Sequence, residues 1–98
     1  MSIKPASTLL RELREQRGAS LRSTADELDI DPGYLSRLER GQKPASDDVL
    51  RRAARLYDVP EEMLALAEGE LPDDIVSIFK KHPELIDELR ERYAPERS

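Results

Sequence analysis

Residues 20–41 read Ser-Leu-Arg-Ser-Thr-Ala-Asp-Glu-Leu-Asp-Ile-Asp-Pro-Gly-Tyr-Leu-Ser-Arg-Leu-Glu-Arg-Gly. Two short helices joined by a tight turn account for this pattern. Ser20 is a good N-cap, because its hydroxyl accepts from an amide of the first turn that has no partner within the helix. Helical periodicity breaks at Asp29-Ile30-Asp31, and Asp29 tolerates the left-handed backbone that a turn needs there. Asp31 can cap a second helix with Pro32 at its first position, where a missing N–H costs nothing. Leu35 and Leu38 lie three apart and share a face, and Gly41 supplies the positive φ that ends the helix. Leu21, Ala25, Leu28, Ile30, Leu35 and Leu38 are the apolar set that packs the pair together. Such a pair leaves its second helix at the surface, where it can enter a major groove.

The sequence outward from this stretch supports more helices and little else. Ser7 is placed to cap a first helix to about Arg17, with Leu9, Leu10 and Leu13 as its stripe and Gly18 as its stop, so that Met1 to Ala6 reads as a frayed arm. Ser46, followed by Asp47 and Asp48, starts a fourth helix running to about Tyr57, with Val49, Leu50, Ala53, Ala54 and Leu56 as core candidates. Pro60, Glu61 and Glu62 open a fifth through about Ala67, burying Met63, Leu64 and Leu66. Beyond a Glu68–Pro72 connector come two short helices. Ile75, Val76, Ile78 and Phe79 line the first, and Leu85, Ile86, Leu89 and Tyr93 line the second. The expected fold is all-α: a five-helix unit over residues 1–69 and a C-terminal pair of short helices over 70–98.

Residues 7–66 resemble the Cro and phage-repressor type of helix-turn-helix domain, the XRE family. The resemblance rests on Leu10 through Gly18, Ala25, Tyr34 through Gly41, Pro44-Ala45-Ser46 and Leu56 through Pro60. It implies a domain that binds double-stranded DNA, reading bases through the first, second and sixth residues after the recognition-helix cap: Pro32, Gly33 and Arg37. Pro32 and Gly33 have almost nothing to hydrogen-bond with, so Arg37 is the strong base reader, bidentate to a guanine. Tyr34, Ser36, Arg40 and Lys43 become contacts to the DNA backbone, although Tyr34 can equally be a ring that only covers the helix. The resemblance also pairs Arg14 with Glu39, a forked guanidinium on a carboxylate, fixing how the first helix meets the third. Three positions depart from the family. Leu21 replaces a glutamine that reaches a phosphate, which leaves Arg22 or Ser23 to substitute; Thr24 replaces a leucine, and Asp29 a turn glycine.

Composition narrows the function classes. There is no cysteine, hence no disulfide and no thiolate metal site. His82 is the only histidine, and no second ligand stands near it in sequence. Neither a nucleophile with its base nor a glycine-rich phosphate loop is present, so neither an enzyme nor a cofactor is expected. No apolar run spans a bilayer and no signal peptide is evident, so a cytoplasmic protein is expected; the resemblance implies a bacterial, phage or plasmid origin.

The net charge of −5 is unlike the basic footprint of most nucleic-acid binders. It is unevenly spread, however: residues 67–98 carry five bases against nine acids, whereas residues 34–55 carry six against three. The C-terminal pair is too short to hold a core alone. It either packs on the fifth helix or makes a homodimer through Ile75, Ile78, Phe79, Leu85, Ile86, Leu89 and Tyr93. The principal reading is a sequence-specific transcriptional regulator, a repressor, dimeric on a palindromic operator. The alternative is a protein-interaction module of the same fold, such as an antitoxin or a regulator-sequestering adaptor.

Overall fold

The computed structural model describes residues 3–93. Within them lie seven helices and no strand: α1 (Ala6–Gln16), α2 (Leu21–Leu28), α3 (Pro32–Glu39), α4 (Asp47–Tyr57), α5 (Glu61–Ala67), α6 (Asp73–Lys81) and α7 (Glu84–Tyr93). Three of the starts follow directly from a capping side chain. Ser20 accepts from the Ser23 amide, Asp31 from the amides of Gly33 and Tyr34, and Ser46 from the amide of Val49. Pro32 occupies the first position of α3.

The first helix corrects the expectation drawn from Ser7. It begins two residues earlier, at Ala6, with Pro5 rather than Ser7 at the cap and no side chain accepting there. The Pro5 carbonyl receives the Leu9 amide at 3.0 Å, and the Ala6 methyl is buried. Burial of that small side chain draws Ala6 into the helix and leaves Ser7 facing Gly41, whose positive φ of 73° ends α3. Of the expected arm, Met1 and Ser2 lie outside the described residues, and Lys4 is tied to Glu12 at 2.8 Å.

Two helices end on a left-handed aspartate, Asp29 after α2 (φ 57°) and Asp58 after α4 (φ 53°). In both cases the next residue's amide returns to the helix, from Ile30 to the Ala25 carbonyl and from Val59 to Ala54, each at 3.0 Å. Aspartate thus does at two turns what glycine does more often.

The core gathers Leu10 from α1, Ala25 and Leu28 from α2, Leu35 and Leu38 from α3, Val49, Leu50, Ala53 and Ala54 from α4, and Leu64 from α5. Leu56 is only partly buried, and Leu66, expected inside, is 46% exposed. Burying a leucine contributes about 1.5–3 kcal/mol, so these contacts make α1–α5 one packed unit. No described side chain of α6 or α7 is buried. The two pack on each other, and neither packs to that extent against α1–α5. The radius of gyration, 16.0 Å, exceeds the roughly 13 Å of a compact chain of this length, consistent with a projecting hairpin.

Leu64 is the side chain by which α5 is anchored, and none of it reaches solvent. Leu64→Ala is expected to lower the unfolding free energy by about 2–5 kcal/mol. Urea denaturation followed by circular dichroism measures it; a loss below 1 kcal/mol would show that α5 is peripheral to the core.

Candidate nucleic-acid interface

The second helix of the helix-turn-helix pair is held from one side and open on the other. Leu35, Leu38 and Glu39 are buried, while Gly33, Arg37 and Arg40 are exposed. The exposed three fall at i, i+4 and i+7, one stripe of the helix. Pro32, Tyr34 and Ser36 border that stripe and are half-buried. Lys43, just past the helix, is exposed as well.

Gly33 gives the stripe its shape at the N-terminal end. A Cβ at this position would stand 2.8 Å from the capping oxygen of Asp31 and 3.7 Å from a terminal nitrogen of Arg37. Any larger residue therefore displaces the cap. The Arg37 side chain runs back along the helix toward this bare backbone, the direction helical side chains favour. Arg37 makes no hydrogen bond or ion pair with any described residue, whereas the Asp31 carboxylate is engaged by two backbone amides, from Gly33 at 2.8 Å and Tyr34 at 3.3 Å. The Arg40 Nε donates to the Ser36 carbonyl at 3.3 Å, and its charge meets no described carboxylate at ion-pair distance.

Behind the open stripe, Arg14 and Glu39 meet in a forked pair. Arg14 Nε donates to both carboxylate oxygens of Glu39, at 3.1 and 2.9 Å, and Nη2 donates to Oε1 at 2.9 Å. Nη1 donates to the Ala19 carbonyl at 3.1 Å, so one guanidinium ties α1, α3 and the loop before α2. The Glu39 side chain is only 3% exposed and that of Arg14 16%. The hydrogen bonds to Glu39 raise the Arg14 pKa, against an opposing effect of desolvation. Nearby, Tyr57 has its phenol pushed up chiefly by burial, and the Arg17 guanidinium lies 6.0 Å from its ring centre.

Two other bases of the region, Arg51 and Arg52, are already committed elsewhere. Arg52 donates to the carbonyls of Leu28 (2.9 Å) and Asp29 (3.4 Å) and pairs with Asp48 at 2.6 Å. It closes the C-terminal end of α2 and the turn, a role the sequence reading missed because the acceptors are backbone groups far away in the chain. Arg51 pairs with Asp48 and Glu61. Arg55 of α4 stays exposed and meets no described carboxylate at ion-pair distance; the other unmatched bases of the region, Arg37, Arg40 and Lys43, lie on the α3 side. On α2, Arg22 is exposed, but the Ser23 hydroxyl already donates to the Ser20 carbonyl at 3.2 Å. Arg22 is thus the freer of the two to meet a phosphate.

A helix capped by Asp31, pinned from behind by Glu39 and presenting Arg37 outward belongs to a helix-turn-helix protein, and comparison with known sequences agrees. Residues 6–67 match the family model for the helix-turn-helix domain, and the chain belongs to that family, one of helix-turn-helix domains rather than of enzymes. Among its relatives is the transcriptional regulator ClgR of Mycobacterium tuberculosis, in strains CDC 1551/Oshkosh and ATCC 25618/H37Rv. Identity is 32% over 62 residues, covering 63% of this chain and 55% of that protein. The chain thus spans about half the length of the curated relatives it matches. A similar solved structure is the clp gene regulator ClgR from Corynebacterium glutamicum, with a TM-score of 0.57, 23% identity and 92% of each chain covered. That likeness shows the shared fold.

The buried pair yields an asymmetry that can be measured. Glu39→Ala leaves a guanidinium facing the interior alone and is expected to cost about 3–5 kcal/mol. The paired replacement Arg14→Met with Glu39→Leu is expected to cost much less, because no charge is stranded. Equal losses for the two variants in urea titrations would show that the pair adds net stability.

Proposed function

We propose that this chain is a sequence-specific DNA-binding transcriptional regulator, a repressor acting in the cytoplasm of a bacterium or on behalf of a phage or plasmid. Residues 1–69 form the DNA-binding domain and residues 70–98 a dimerising appendage. One observation carries the reading: the exposed stripe of α3 holds an unpaired Arg37 over the bare backbone of Gly33, on a helix fixed from behind by Arg14 and Glu39. Arg37 reads a guanine through its two terminal nitrogens, and Gly33 and Pro32 let the helix sit deep in the groove. Arg40, Lys43, Ser36, Tyr34 and Arg22 meet phosphates and set the register. The curated relatives, named as transcriptional regulators, support the same reading. Among the described residues no helix is long and apolar enough to cross a membrane.

A single helix of eight residues reads only a few base pairs. A two-fold dimer sets two such helices about 34 Å apart on one face of the duplex, which is how a palindromic operator is read. The apolar side chains left open on α6 and α7, with Ile78, Ile86 and Leu89 each more than 40% exposed and Tyr93 70%, support an appendage that pairs copies of the chain. Ile75, Phe79 and Leu85, half-buried beside them, complete that surface.

Selection of bound fragments from random duplex DNA, followed by titration on single-base variants, tests the base reader. Arg37→Ala is expected to weaken binding to the selected site by about 1–3 kcal/mol and to relax one base position, whereas Lys43→Ala weakens all sequences alike. Uniform weakening by Arg37→Ala would reduce Arg37 to a phosphate contact. Failure of the intact chain to retain any duplex at low salt, with co-purification of a protein partner, would favour the interaction-module alternative.

Every buried side chain among the described residues lies between Ala6 and Leu64, so a chain cut after Gly69 keeps its core. It is expected to run as a monomer under light scattering where the full chain is a dimer. A shortened chain that still dimerises would place the interface on α1–α5.

A further inference from the structure

We propose that two copies of this chain pair with their α6 helices antiparallel across a two-fold axis, Asp73 facing Lys80 and Asp74 facing Lys81 of the second copy. This rests on the dimeric reading above and adds to it the orientation and the partner selectivity of the appendage.

The inference starts from an apolar surface without a cover. Leu71, Val76, Phe79, Ile86 and Leu89 line a groove between α6 and α7, with Lys80 on its rim. Ile78 adds to the same side of α6 and is 45% exposed. Apolar positions gathered on one side of a short helix pair need a second surface to be shielded from water. Which surface fits is decided by charge.

Along α6 the order is Asp-Asp-Ile-Val-Ser-Ile-Phe-Lys-Lys. With 3.6 residues to a turn, Ile75, Val76, Ile78 and Phe79 form one stripe. Asp73 and Lys80, seven apart, run along one border of it. Asp74 and Lys81, also seven apart, run along the other. Seven residues span about 10 Å of helix axis, too far for either pair to close within its own chain. All four side chains are exposed, and none joins an ion pair with a described residue. Each sign also sits at the helix end its dipole favours, which helps α6 form but does not choose a partner.

The borders do choose one. When two helices pack antiparallel, like borders face each other and run in opposite directions. Asp73 then meets Lys80 and Asp74 meets Lys81, each contact occurring twice about the axis, as a self-complementary interface requires. The same registers set Ile75 over Ile78 and Val76 over Phe79, so apolar and charged contacts agree within one residue. In a parallel pair, opposite borders meet instead. Asp73 would face Asp74, and Lys80 would face Lys81, which repel. The pattern thus favours a second copy of this chain, antiparallel, over a parallel arrangement and over a helix without the same acid-to-base order.

The test uses the full chain, with sedimentation equilibrium at low salt and native mass spectrometry on wild type, Asp73→Lys/Asp74→Lys and Lys80→Glu/Lys81→Glu. Each double variant presents one sign along both borders. Each is expected to dimerise at least tenfold more weakly than wild type. An equimolar mixture is expected to recover dimers that are almost entirely of one copy each. Circular dichroism checks that α6 stays helical; were either double variant to lose helix alone, Asp74→Lys or Lys81→Glu replaces it. Recovery on mixing shows that the charged borders meet across the interface, and a wild type tighter than both variants shows that they meet antiparallel. Wild-type-like dimerisation of both variants, or a mixture that gives no excess of mixed dimers, overturns the antiparallel pairing while leaving a dimer in place. A wild-type chain that stays monomeric at all concentrations removes both the dimer and this arrangement.

Discussion

The contact between Arg14 and Glu39 is the constraint on which the rest of the molecule turns. A helix of only eight residues has little stability of its own. Here α3 is fixed by two leucines and by a carboxylate that a forked guanidinium grips from α1. The same guanidinium reaches the Ala19 carbonyl, so the loop leading into α2 is set by the same side chain. Orientation of the outward stripe is thereby decided on the inward side. The opposite end of the pair is fixed independently, because Arg52 of α4 holds the last carbonyls of α2. An orienting role and a stabilising role are separate matters for such a pair, since a buried ion pair is often no more stable than the apolar contact that can replace it.

Much of this arrangement was legible in the sequence because its signals are local. Ser20, Asp31 and Ser46 cap amides two or three residues away, and each does so in the structure. The left-handed Asp29 followed from its place in the turn. Leu10, Leu35, Leu38, Leu50 and Leu64 followed from helical spacing. What was not legible depends on contacts between distant positions. The start of α1 was misplaced because Ala6 is drawn in by burial rather than by a cap. The task of Arg52 could not be foreseen because its acceptors are carbonyls 23 and 24 positions away. Leu66 carried the spacing of a core residue and is exposed, since a short α5 buries only one side and ends beside an open hairpin. For the candidate site, the residue types were legible and the unmatched state of Arg37 was not.

Charge in this protein has to be read by location rather than by total. The chain is acidic overall, yet Asp48 of α4 is consumed by Arg51 and Arg52. The acids of α6 lie at the far, C-terminal part of the chain, outside α1–α5. What is left on the open side of α3 is basic. Net charge governs solubility and nonspecific attraction; the sign beside Gly33 is a separate quantity.

The placement of the aromatic rings has a practical result. With no tryptophan and three tyrosines, the intrinsic ultraviolet emission of the chain comes from phenols alone. Tyr34 sits on α3, Tyr57 half-buried against the core beside Arg17, and Tyr93 out on the hairpin. Leaving one ring at a time, by replacing the other two with phenylalanine, gives three unlabelled optical reporters, one for each of α3, the edge of the core and the hairpin.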